Sequence, residues 1–95
     1  MSESTSDGQV VLDLSREETW VAHAALVCGI DRAVEDGEEP AAERELLLAL
    51  ESDEPIDRDA LPTLRDAVLS YLDDAPERDV VTGRAVLGTV DAVLA

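Results

Sequence analysis

The chain contains no lysine, no asparagine and no phenylalanine, and it carries one cysteine, one histidine, one tryptophan and one tyrosine. Each shortage excludes something. A single cysteine, Cys28, cannot form an internal disulfide, and a reducing cytoplasm is the simplest compartment for such usage. A single histidine, His23, leaves any metal centre short of imidazole ligands. The longest charge-free run, Thr19 to Ile30, falls short of the roughly 18 apolar residues of a membrane span, so no membrane partner is expected. The start, Met-Ser-Glu-Ser-Thr-Ser-Asp-Gly, is polar and acidic and lacks the pattern of a secretory signal.

What is present is acid. Twenty-three Asp and Glu stand against seven Arg, for a net charge of −16 over 95 residues. Lysine depletion with carboxylate excess suits a cytoplasm at molar salt. Where the acids sit points the same way. Glu35 and Asp36 close the first expected helix, and Asp73 and Asp74 the third. At those negative dipole ends an acid costs up to about 1 kcal/mol in dilute buffer. Near 1 M salt the screening length falls to about 3 Å and most of that cost disappears. The competing account of the acidity is capture of a basic partner or imitation of a nucleic-acid backbone. Acids are densest between residues 35 and 59 but occur on every expected exposed face, so salt adaptation is preferred.

The organising stretch runs from Val10 to Val34. In Gln9-Val10-Val11-Leu12-Asp13-Leu14 the apolar Val10, Leu12 and Leu14 alternate with Gln9, Val11 and Asp13, the pattern of a half-buried strand. Ser15-Arg16-Glu17-Glu18 then fits a capping box, with Ser15 and Glu18 each satisfying the other's backbone amide. From Trp20 to Val34 the only charges are Asp31 and Arg32. Trp20, His23, Leu26, Val27, Ile30 and Val34 share one broad face, widened by Val21, Ala24 and Cys28. A stripe wider than one helix can cover marks the centre of the fold or a subunit interface.

Three more helices follow. Gly37 stops the first, and Pro40 suits the first turn of the second. There Ala42, Leu46, Leu47 and Leu50 share a face and Leu48 lies opposite. The short connection makes the pair an antiparallel hairpin. Asp57 or Asp59 is expected to cap a third helix with Leu61, Leu64, Val68, Tyr71, Leu72 and Ala75 in one stripe. After Pro76 the fourth presents Val80, Val86, Leu87, Val90, Val93 and Leu94. Gly83 lies inside that face and Gly88 beside it, where glycine suggests close approach of a neighbouring helix. The nearly uncharged first and fourth helices are expected to pack together in the middle. The expected architecture is mainly α: one N-terminal β-strand followed by about four helices in a small bundle. Residues 1–8 form a mobile acidic tail and residues 9–95 a single helical domain.

One strand alone is incomplete. No second strand is evident, because Pro55-Ile56 is short and broken by proline and Val80-Val81-Thr82 suits a helix. An apolar edge invites pairing with a copy of itself around a two-fold axis. A homodimer would also supply core that a chain of this size lacks. The expected interface comprises Val10, Val11, Leu12, Leu14, Trp20, Val27, Val86 and Val90, with an unidentified protein as a further partner.

No set of residues carries catalysis, and no cofactor is implied. His23, between Trp20, Leu26 and Val27, fits a structural histidine, and Cys28 a small buried hydrophobe. The two lie about 140° apart around the helix and cannot form a pair. Asp57-Arg58-Asp59 lacks the glycine and glutamate of a calcium loop. Leu12-Asp13-Leu14-Ser15-Arg16-Glu17-Glu18 resembles the strand-to-helix turn of ribbon-helix-helix DNA-binding proteins, which would imply a transcriptional regulator. The outward Gln9, Val11 and Asp13 depart from that family's basic or amide positions, and the net charge repels phosphate. From Leu12 to Trp20, running into an alanine-rich helix in a lysine-free chain, the sequence resembles small acidic haloarchaeal proteins without assigned activity. The functional expectation is a non-enzymatic, cytoplasmic, self-associating interaction domain adapted to high salt. The alternatives are a ribbon-helix-helix regulator and, without residues to support it, a metal-dependent hydrolase.

Overall fold

The computed structural model describes residues 8–95; of the expected tail of residues 1–8, only Gly8 is among them, its C=O accepting from Arg58 N–H, and the rest lies outside the described residues. Its order is β1 (Gln9–Val10), α1 (Arg16–Glu35), α2 (Ala41–Ser52), β2 (Ile56–Asp57), α3 (Leu61–Leu72) and α4 (Glu77–Leu94). The mainly helical expectation holds in number and order of helices.

Local chemistry sets the boundaries. Ser15 Oγ accepts from the Glu18 amide at 3.1 Å, while Glu18 Oε1 accepts from the Ser15 amide at 2.8 Å. That capping box fixes the start of α1. Its end is a Schellman turn: Glu38 N–H donates to Ala33 C=O and Gly37 N–H to Val34 C=O, with Gly37 at φ +77°. The end of α2 turns on a costlier residue, with the Asp53 and Glu54 amides both donating to Ala49 C=O. Asp53 takes the left-handed conformation at φ 54°. A 3₁₀ turn, Arg58–Ala60, leads into α3, which has no side-chain cap. Neither Asp57 nor Asp59 therefore caps α3 as expected. Pro62 occupies the first turn, where its missing N–H goes unneeded.

The strand expectation needs correction. Regular pairing is confined to Gln9 and Val10, opposite Asp57 and Ile56 in an antiparallel register. The second strand is thus the Pro55-Ile56 segment that its brevity had excluded. Proline precedes the pairing residues, so the ladder loses no donor. Beyond Val10 the alternation still holds: Leu12 and Leu14 pack on the core while Val11 and Asp13 face solvent. One edge of the strand thus finds a partner inside the subunit, at Gln9 and Val10.

In the bundle α1 packs on α2, α3 and α4, and α3 also packs on α4. The centre is accordingly shared by α1, α3 and α4 rather than held by α1 and α4 alone. Leu26, Leu46, Ile56, Leu61, Leu64, Val68, Val86 and Val90 form an aliphatic core without an aromatic ring. On α1 the inward face is Val21, Ala22, Ala25 and Leu26, with Gly29 facing Ala67 of α3 and Glu43 of α2. Small side chains there let three helices close on one. Gly83 is buried against Leu72, as the close-approach expectation required, whereas Gly88 meets nothing.

Candidate interaction surface

The wide apolar stripe of α1 is split by the fold. Leu26 turns inward, while Trp20, Val27 and Val34 remain 71%, 38% and 56% exposed. At 100° per residue Trp20, His23, Ala24, Val27, Ile30 and Val34 fall on the arc opposite Ala22 and Ala25. Trp20, Val27 and Val34 are spaced by seven, with His23 and Ile30 between them, the repeat of a helix-pairing seam. One acid, Asp31, lies along this face between Trp20 and Val34, in a chain of 23 acids. Cys28 flanks the same arc and is exposed, not the buried hydrophobe expected.

At its N-terminal end the face borders a groove of about 890 Å³ between α1, the end of α2 and the start of α4. Trp20 and His23 lie in parallel planes, 6° apart, with ring centroids separated by 6.1 Å. Such an offset stack is favourable between rings. His23 Nε2 lies 3.0 Å from Glu51 Oε2 on α2. An ionised carboxylate only accepts, so this contact places the imidazole proton on Nε2 and holds the ring against Trp20. Glu17, Glu51, Asp53 and Asp79 put four carboxylates around the groove, against the guanidiniums of Arg16 and Arg78. Tyr71 O–H donates to Asp79 Oδ2 at 2.9 Å across the α3–α4 turn. The phenol is pushed above its ordinary range by that hydrogen bond first, then by burial and by the Asp79 charge.

The eight expected interface residues separate into three groups. Val86 and Val90 are fully buried in the subunit's own core and offer no surface, a correction to that expectation. Val10, Leu12 and Leu14 are half-buried against the same core. Val11, Trp20 and Val27 are exposed. The same exposed arc of α1 holds Val34, Ile30 and His23, and Glu51 of α2 touches its edge. The first three were legible in the α1 periodicity, whereas Glu51 reaches His23 only through the α1–α2 hairpin. Among the described residues no three His, Cys, Asp or Glu side chains converge to hold a metal ion, and no helix is long and apolar enough to cross a membrane.

These features define a small four-helix domain in which the described residues leave an apolar face of α1 exposed beside an acidic groove lined by Trp20. The chain belongs to a family of unknown function, DUF7853, whose model matches residues 12–91, from the strand-to-helix approach through most of α4. No curated protein and no solved structure matches it.

Proposed function

We propose that this domain is a non-enzymatic interaction module that pairs with a second copy through the solvent face of α1 in a salt-rich cytoplasm. The observation that carries this is the charge-poor arc of Trp20, Val27, Ile30 and Val34, left open by its own subunit. A two-fold axis crossing near Val27 sets the arc against its own copy, apolar on apolar, and keeps most carboxylates at the rim. β1 is paired within the subunit at Gln9 and Val10, so the pairing surface is α1. Salt adaptation is part of the same proposal. Acids sit at the C-terminal ends of α1, α2 and α3, and at a net charge of −16 two copies repel until that charge is screened.

Sedimentation in about 2 M KCl tests it. The parent chain is expected as a dimer at high micromolar concentration, and Val27→Glu as a monomer with an unchanged circular dichroism spectrum. Val27 is partly exposed, so the substitution leaves the core intact. A monomeric parent under those conditions overturns the proposal.

A further inference from the structure

Trp20 belongs to the pairing arc, but the groove beside it adds Glu51, Asp53 and the His23–Glu51 contact, which that arc does not include. Its lining offers an exposed indole stacked on His23, and the His23–Glu51 hydrogen bond holds a carboxylate beside that pair. Asp53, in its left-handed turn at the end of α2, adds a second carboxylate to the same lining. An aromatic face beside carboxylates is complementary to a planar cation: the guanidinium stacks on the ring and its N–H fork meets the acid. Four carboxylates against two guanidiniums leave the lining net negative, which disfavours phosphate and nucleic acid. In concentrated salt long-range attraction is screened, so selectivity must come from such contacts at van der Waals and hydrogen-bond range.

We infer that the groove between α1, α2 and α4 docks an arginine-bearing segment of a partner protein, its guanidinium stacked on Trp20 and paired with Glu51. A groove of about 890 Å³ is large enough for a few residues of extended chain. Trp20 also borders the α1 face, so the inference is tested in the Val27→Glu background as well as in the parent.

Trp20 is the sole tryptophan, and its emission reports on the groove directly. The probe is an acetylated Gly-Arg-Gly-Arg-Gly amide, titrated in about 2 M KCl. The control is the same peptide with citrulline, which keeps the planar shape and loses the charge. A saturable change in emission is expected with the arginine peptide, and binding weaker by about tenfold with citrulline. Glu51→Gln is expected to weaken the arginine peptide by about fivefold, with unchanged circular dichroism. Because Trp20 is shared with the pairing arc, the monomeric Val27→Glu is expected to bind at least as tightly as the parent, and loss of binding there with the fold intact overturns the inference. The inference is overturned if nothing saturates by about 10 mM peptide. Equal binding of the two peptides, or a Glu51→Gln variant that binds like the parent, also overturns it.

Discussion

The two glycines of α4 make opposite predictions from one substitution. A Cβ built on Gly83 would lie 2.5 Å from Leu72 Cδ2, 2.9 Å from Cδ1 and 3.1 Å from Cγ. Both methyls and the branch carbon are within clash distance, so turning one methyl away does not clear the space. The whole Leu72 side chain must swing off α4, and it can, because it is only half-buried at the end of α3. Overpacking of this kind costs about 1–3 kcal/mol. Alanine returns about 1 kcal/mol of helix propensity. The net for Gly83→Ala is therefore a loss of about 1 kcal/mol, from a total near 5–15 kcal/mol for a domain of this kind. Gly88 is exposed with no atom within 4 Å, so Gly88→Ala should gain up to about 1 kcal/mol from propensity alone. Urea unfolding followed by circular dichroism in molar KCl gives both values from midpoints at constant slope. Removing the obstacle as well, in Gly83→Ala with Leu72→Ala, should show coupling of about 2 kcal/mol, the overpacking cost relieved, in the double-mutant cycle. If both alanines stabilise equally, the close approach of α3 and α4 at Gly83 is wrong.

Three further outcomes follow from the same geometry. Ser15→Ala removes the hydroxyl half of the α1 capping box and should cost about 1 kcal/mol, lowering Tm by roughly 4–8 °C; an unchanged thermal melt would show the cap to be idle. Tyr71 should titrate above its ordinary value of 10.0, and Asp79→Asn should bring it down, as read by tyrosinate absorbance. Because the folded phenol is the more weakly acidic, its contribution to stability is complete below about pH 10 and lost as pH rises through the folded value; titration of the parent at or below 10.0 contradicts the Asp79 contact. Dialysis from molar KCl into dilute buffer should unfold the chain, since the ion pairs at Arg44–Glu39 and Arg65–Asp91 are exposed and leave most carboxylates uncompensated. A circular dichroism spectrum that does not change on dialysis would refute that.

Nearest-neighbour chemistry was legible without coordinates. The Ser15–Glu18 box, the Gly37 stop, the helix starts after Pro40 and Pro76 and the alternation from Val10 to Leu14 all depend on residues within one turn of each other. Their physics is complete in the local sequence. What hydropathy misplaced is the inward face of α1. Trp20, Val27 and Val34 dominate its hydrophobic pattern, yet Ala22, Ala25 and Gly29 face the neighbouring helices. Three helices closing on one select for small volume, and apolar character alone carries no information about volume. The same limit hid β2: Ile56 looks like a loop residue until the core needs a side chain where β1 passes. Cys28, similarly, is neutral in pattern: its residue type suits an interior, yet the fold leaves it exposed beside the α1 arc. Sequence thus determined the number of helices, their ends and the excess of apolar surface on α1. Only the tertiary structure decided which half of that surface the subunit keeps for its own core and which half it leaves open, because that choice belongs to the packing of three helices around one.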